Sequence, residues 1–174
     1  MKRTLLTLIF ILFSYYLISI GIEENIKIPD NAIRIRVLAN SNSDYDQQMK
    51  VEVKQDIQDY MYNLLSDVEN AEEASGIIYN NLEQIDKEVG NYLQTLDYAV
   101  PYKVNFGLNY FPEKKYKGVI YEEGYYESLL ITLGKGEGDN WWCVLFPPLC
   151  LIEAEESTEV EYKSFIKELL DKYV

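Results

Sequence analysis

The spacing of the apolar residues changes from helical to alternating midway along this chain, and this change limits the possible fold more than any other feature. Two long stretches, about Asp46–Ser66 and Asn70–Leu96, carry apolar residues at helical spacing. After Pro101 the apolar residues fall on alternate positions, which is the period of a half-buried strand. Two helices followed by a run of strands indicate an α+β domain.

Three further segments complete the predicted architecture. Ala32–Ala39 alternates and precedes the helices as a strand, while Val119–Tyr121 and Tyr125–Leu133 are predicted to form a hairpin. Tyr162–Tyr173 is predicted as a last helix. The sequence therefore predicts an α+β fold: an antiparallel-leaning sheet of about four strands, two long helices on one face and a short C-terminal helix.

Polar residues before the two long helices are typical helix N-caps. Ser43 with Asp46, and Asn70 with Glu73, have capping-box spacing. The alternate oxygens from Asn40 to Asp46 also resemble a calcium loop, but tyrosine and valine occupy the positions where such a loop needs glycine and glutamate. Helix capping is the preferred interpretation, and no metal ligand set is predicted.

The first 22 residues differ from the rest of the chain. Lys2-Arg3 are followed by Thr4–Ile22, which contains no charged residue, and Ser19-Ile20-Gly21 suits a signal peptidase. The segment is also nearly long enough to cross a bilayer. We predict a signal peptide or an N-terminal membrane anchor over residues 1–22, and a single extracytoplasmic signalling domain over residues 23–174.

The segment from Gly134 to Cys150 holds both tryptophans, both cysteines and a Pro-Pro pair. Glycines open it and the prolines stiffen its end, so we predict a constrained loop with two alternatives for its apolar side chains: filling the core, or facing outward as a partner-binding anchor. Strand alternation would allow one tryptophan to point each way. The predicted partner-binding residues are Asn140, Trp141, Trp142, Leu145, Phe146, Pro147 and Pro148.

Export would place Cys143 and Cys150 outside the reducing cytosol. Two cysteines and no third favour a disulfide there, with a pair of buried free thiols as the alternative. Zinc binding is disfavoured, because zinc needs four ligands and the chain has no histidine.

Charge and composition exclude several functions. The formal net charge of −13 includes the positive charges of Lys2 and Arg3, so the body is repelled by nucleic acid and by anionic lipid. Membrane contact is therefore expected only through the N-terminal segment. Without histidine, Ser-His-Asp and Cys-His sites cannot form. No catalytic residue or cofactor is predicted.

Three segments resemble the stage II sporulation protein R family of endospore-forming bacteria. The most specific is Asn140-Trp-Trp-Cys-Val-Leu-Phe-Pro-Pro-Leu-Cys150; the others are Arg34–Ser41 followed by Asp46-Gln47, and Phe111–Gly134. The chain departs from the family pattern at Glu122–Tyr126, and Leu130 stands where an arginine is expected.

The resemblance implies a signal protein rather than an enzyme. Family members are exported from the forespore into the space between the two sporulation membranes. There they activate a membrane-embedded aspartic-type receptor protease, which leads to processing of a pro-sigma factor. The alternative is an exported carboxylate-dependent cell-wall hydrolase or binding module, in which carboxylates such as Glu122, Glu123 and Glu127 act beside sugar-stacking tryptophans.

Overall fold

The computed structural model describes residues 26–151 and 158–173, together with 11, 12 and 14. Almost all of the predicted signal peptide or anchor therefore lies outside the described residues. In the part of the chain that is described, no helix is long and apolar enough to cross a membrane.

Seven strands and four α-helices make up the described chain. The strands are β1 (Ile26–Lys27), β2 (Ile33–Leu38), β3 (Tyr102–Phe111), β4 (Lys114–Tyr116), β5 (Val119–Tyr121), β6 (Gly124–Leu133) and β7 (Asn140–Phe146). The helices are α1 (Asp44–Leu64), α2 (Ala71–Asn80), α3 (Leu82–Thr95) and α4 (Glu159–Tyr173), with a short 3-10 helix at Leu149–Leu151.

The α+β class is confirmed, and the main sheet has four strands in the order β3-β6-β2-β7. Its pairing is mixed: β2 and β6 run parallel at the centre, while β3 and β7 pair antiparallel at the two edges. The helices α1, α2 and α3 intervene between the two central strands, which is the kind of long connection that a parallel pair requires.

A second, three-stranded sheet has the order β1-β5-β4. The predicted hairpin between 119–121 and 125–133 is wrong, because β5 pairs with β1 and β4 while β6 joins the main sheet. The hairpin that forms joins β4 to β5 through Lys117 and Gly118, both with positive φ.

The two hydrophobic cores lie on opposite faces of the main sheet. The larger is built from β2, β6 and the three consecutive helices; its fully buried members include Ile35, Ile57, Ile78, Ile85 and Leu129. The smaller joins the second sheet and α4 to the other face, through residues such as Val119, Val144 and Ile166. Each face of the sheet is therefore covered in part, and β7 contributes to both cores.

The predicted second helix is two helices. Asn81 separates α2 from α3, and its side-chain amide donates to the carbonyl oxygen of Ile77 at 2.8 Å. An asparagine that bonds to the backbone in this way competes with continued helix formation. Both predicted N-caps are confirmed: Ser43 accepts from the amide of Asp46 at 3.1 Å, and Asn70 from that of Glu73 at 2.9 Å.

Candidate functional site

The segment that holds both tryptophans is mainly a strand. Asn140–Phe146 forms β7, an edge of the main sheet that pairs antiparallel with β2, so the prediction of a loop across these residues is wrong. Gly134–Asp139 before it, and the Pro147-Pro148 corner and the start of the 3-10 helix after it, lie outside regular strand. The Phe146–Pro147 peptide bond at that corner is cis.

The loop before β7 is held by the turn that follows β2. The backbone amides of Lys135 and Asp139 donate to the side-chain oxygens of Asn40 and Asn42, at 3.0 and 2.6 Å. Gly138 passes so close to Ser41 that an added Cβ would overlap its carbonyl group. These contacts fix the register in which β7 begins to pair with β2.

Asp46 stabilises the turn that follows β2. Its carboxylate accepts from Asn40 at 3.0 Å, from Ser41 at 2.5 Å and from the buried hydroxyl of Tyr98 at 2.5 Å. The hydrogen bonds from Ser41, Tyr98, Asn40 and the Ser43 cap lower the pKa of Asp46 from 3.8 to about 2. Asp46 therefore stays ionised, and it links α1 to the turn that positions β7.

Alternation along β7 sends the two tryptophans to opposite faces of the sheet, as the sequence allowed. Trp141 lies on the helix side, with the Lys54 ammonium 5.4 Å from its ring centroid. Trp142 lies on the other side, where its ring contacts those of Phe111 and Tyr121 edge-on at 5.5 Å. Both tryptophans are half-buried, so neither projects freely into solvent.

The end of β7 opens onto a small apolar cleft. A bulge between Ile33 and Arg34 of β2 interrupts the register, and both Leu145 and Phe146 pack toward the helix-side core. The cleft has a cavity volume of about 40 Å³. We call it the apolar cleft. It is lined by Gln58, Met61, Tyr62, Leu65, Ser66, Leu145, Phe146, Pro148, Cys150 and Tyr173.

The seven predicted partner-binding residues are thus divided. Leu145, Phe146 and Pro148 line the apolar cleft, whereas Asn140 is exposed at the opposite end of β7. Trp142 faces away from the cleft, and Pro147 is buried at the corner. Sequence reasoning missed the contribution of α1 and α4, whose residues Met61, Tyr62 and Tyr173 come next to the strand only in the folded chain.

Cys143 and Cys150 are free thiols directed at one acceptor. Their sulfur atoms lie 3.8 and 2.8 Å from the carbonyl oxygen of Val144. Burial, followed by the neighbouring Cys143 thiol, raises the pKa of Cys150 well above its ordinary value. A protonated thiol is a poor nucleophile, so Cys150 is not suited to cysteine catalysis.

The carboxylates considered for hydrolysis lie elsewhere. Glu122 pairs with Lys27 at 2.5 Å, and Glu123 accepts from the hydroxyl of Tyr110 at 3.0 Å. Glu127 is exposed on β6. None of the residues that line the apolar cleft is an aspartate or a glutamate.

Comparisons with known proteins identify a family whose match covers most of the described chain. A family model described as stage II sporulation protein R matches residues 29–156. The stage II sporulation protein R of Bacillus subtilis (strain 168) is 37% identical over 185 aligned positions, which cover 99% of this chain and 83% of the relative. No solved structure matches the chain.

Proposed function

Because this chain belongs to the stage II sporulation protein R family and so has a role in sporulation signalling, we propose that it is an exported activator of a receptor protease. It binds a membrane-embedded aspartic-type protease on the outer side of the membrane. Binding leads to processing of a pro-sigma factor. The protein itself acts as a ligand and not as an enzyme.

The apolar cleft is the observation that supports a ligand role most directly. It is formed in part by the segment on which the family resemblance chiefly depends, and its cavity of about 40 Å³ suits an inserted apolar side chain. A glycan chain would need a longer groove, and ligand pockets for small molecules are typically several hundred Å³. The half-exposed Tyr62 at the cleft gives the rim an aromatic residue of the kind enriched at binding hot spots.

The proposal makes two demands on the receptor, one on the charge of its surface and one on the conformation that the ligand prefers. A surface opposite this acidic body is expected to carry basic residues, which would speed the encounter. Binding alone would not activate the protease. The ligand must bind the active conformation more tightly than the inactive one, because a ligand with equal affinity for both shifts no equilibrium.

The test compares two tyrosine variants. We expect Tyr62→Ala to weaken binding to the receptor protease in membranes about 30-fold, as for a hot-spot residue worth about 2 kcal/mol. Tyr79→Ala is the matched control, because Tyr79 is 71% exposed and does not line the cleft. Pro-sigma cleavage is measured in the same samples, after circular dichroism has established that both variants are folded.

Equal binding by wild type and Tyr62→Ala would show that the receptor contact lies outside the apolar cleft. A folded wild-type protein that does not bind the protease would refute the receptor proposal itself. Release of soluble fragments from cell-wall material by that same protein would favour the hydrolase alternative.

The proposal includes export, which the N-terminal segment supports by its sequence alone. Residues 1–22 act as a signal peptide or as a membrane anchor, and they place the body in the space between the two sporulation membranes. Mass spectrometry of the protein recovered from sporulating cells distinguishes the two forms. A mass that corresponds to loss of about 21 residues indicates cleavage after a site such as Gly21.

We also propose that Cys143 and Cys150 form a disulfide after export, by exchange with an oxidised dithiol protein whose own disulfide takes up the two electrons and two protons. Their convergence on the Val144 carbonyl oxygen supports this, because little rearrangement is needed to bring the two sulfur atoms together. Alkylation before and after reduction, followed by mass spectrometry, should find both thiols protected in the exported protein. Rapid alkylation of both without reductant would contradict the bridge.

A further inference from the structure

Arg34 is fully buried on the sheet face opposite the long helices. Its guanidinium carbon lies 3.5 Å from the ring centroid of Tyr126, 4.9 Å from that of Phe111 and 5.1 Å from that of Trp142. Its Nη2 donates to the carbonyl oxygen of Glu122 at 3.1 Å. Aromatic faces attract a guanidinium, so they explain how the cation is tolerated, but they accept only part of its hydrogen-bonding capacity.

Two more cations surround the same aromatic residues. Arg36 lies two positions along β2 with its guanidinium carbon 4.0 Å from the Phe111 centroid, and the Lys114 ammonium is 5.2 Å from the Trp142 ring. We call Arg34, Arg36 and Lys114 the arginine cluster. All three segments that carry the family resemblance meet there, through Arg34, Phe111 and Trp142.

Three donors of the arginine cluster are buried without an acceptor among the described residues: Nε and Nη1 of Arg34, and Nε of Arg36. Nearby carboxylates are already engaged, since Glu122 pairs with Lys27 and Glu123 accepts from Tyr110. Burial lowers the pKa of both arginines, yet a guanidinium remains charged in any case. A positive site thus exists inside a protein whose net charge is −13.

We propose that the arginine cluster binds a carboxylate presented by a polypeptide, as from a glutamate or aspartate side chain. A carboxylate offers two oxygens with about four acceptor positions, which match the three free donors and the Lys114 ammonium. The walls of Phe111, Tyr126 and Trp142 exclude water, and this favours a singly charged carboxylate over a more strongly hydrated phosphate dianion.

Two members of the arginine cluster reach the protein surface. Arg36 is half-buried and Lys114 is exposed, whereas Arg34 lies beneath them. A carboxylate would first contact Lys114 and displace the Arg36 side chain from Phe111. This rotamer change, of a kind common at interfaces, also breaks the hydrogen bond that Arg36 Nη2 donates to the carbonyl oxygen of Tyr110 at 2.9 Å, and the carboxylate takes the place of that acceptor. Contact with Arg34 depends on this movement of Arg36, because Arg34 is fully buried.

The test uses the arginines themselves as reporters. The full chain contains only three, Arg3, Arg34 and Arg36, so the Nε–H region of a nitrogen–proton NMR spectrum holds few signals. The full-length protein in detergent is titrated with acetyl-Ala-Glu-Ala-amide, with the neutral peptide acetyl-Ala-Gln-Ala-amide, with acetate and with inorganic phosphate, at constant ionic strength set by chloride.

We expect the glutamyl peptide to give saturable shifts of the Arg34 and Arg36 signals, acetate to bind more weakly, and the glutaminyl peptide to give no shifts. Arg36→Gln and Lys114→Gln should each weaken binding about tenfold, as for loss of a hydrogen bond to a charged group. Lys103→Gln, a change at an exposed lysine of β3 outside the arginine cluster, should leave the affinity unchanged.

Other outcomes would overturn the proposal. Equal shifts with the glutaminyl peptide, or shifts that grow linearly with any salt, would show that the arginines bind no carboxylate. Tighter binding of phosphate would assign the site to a different anion, and acetate binding as tight as that of the peptide would exclude a polypeptide ligand. The receptor protease takes no part in this assay, so failure here is independent of the receptor proposal.

Discussion

Replacing Tyr98 by phenylalanine tests whether the carboxylate of Asp46 secures the segment on which β7 depends. Tyr98 is 5% exposed, and its hydroxyl donates to Asp46 at 2.5 Å. Tyr98→Phe removes that one hydrogen bond and keeps the ring, so the packing of the core changes little. A hydrogen bond to a charged group contributes about 2 kcal/mol, and we expect the free energy of unfolding to fall by that amount at pH 7.

The effect should depend on pH in a direction set by Asp46. Its pKa in the folded protein is about 2, below its ordinary value of 3.8, so its contribution to stability is complete above about pH 4. That contribution is lost as the pH falls through the folded pKa and the carboxylate becomes protonated. The loss of a hydroxyl donor raises the folded pKa toward 3.8, and the difference in stability between wild type and Tyr98→Phe should therefore shrink between pH 4 and pH 2.

Urea unfolding followed by circular dichroism at pH 7, 4 and 2.5 measures these differences. Tyr45→Phe is the control, because Tyr45 is 54% exposed and contacts the Tyr98 ring edge-on at 5.6 Å. We expect that control to change the free energy of unfolding by less than about 0.5 kcal/mol. A Tyr98→Phe effect no larger than the control at pH 7, or one that does not decrease on acidification, would refute the assigned role of Asp46.

Further changes at Gly138, Gly76 and Ile85 test close packing. Gly138→Ala should destabilise the protein by about 2 kcal/mol in urea unfolding, because the new Cβ would overlap the carbonyl group of Ser41. Gly76→Ala should instead stabilise it by about 0.5 to 1 kcal/mol, since nothing lies within 4 Å of a Cβ added at that position in α2. A similar effect of Gly138→Ala and Gly76→Ala would contradict the close contact between Gly138 and Ser41. Ile85→Ala should cost about 3 kcal/mol by thermal or urea unfolding and Ile85→Val about 1 kcal/mol, because Ile85 is fully buried.

Much of the fold was predictable because local chemistry decided it. The N-caps at Ser43 and Asn70, and the apolar stripes that follow them, fixed where α1 and α2 begin. The break at Asn81 escaped prediction, because the apolar stripe continues through it while a single side-chain hydrogen bond ends the helix. The pairing of β5 with β1 was also hidden, since two short strands far apart in sequence find each other only through tertiary contacts.

The candidate site was only partly predictable for a related reason. Alternation correctly placed Trp141 and Trp142 on opposite faces once β7 was a strand, but pairing with β2 is what makes it a strand. Arg34 belongs to the polar positions of an alternating strand, which normally face water. Its burial follows from the surrounding rings of Phe111, Tyr126 and Trp142, which three different strands bring together, and no local pattern contains that fact.

The position of β7 couples the two proposed surfaces. Trp142 pairs with Arg36 and Cys143 with Ile35, and a slip by one residue would exchange the faces to which their side chains point. The arginine cluster and the apolar cleft would then be lost together, although they lie on opposite sides of the sheet. It follows that a change at the loop anchor, such as Gly138→Ala, should impair both peptide binding and receptor binding. Tyr62→Ala and Lys114→Gln should each impair only one of them, and this contrast separates damage to the strand from damage to a surface.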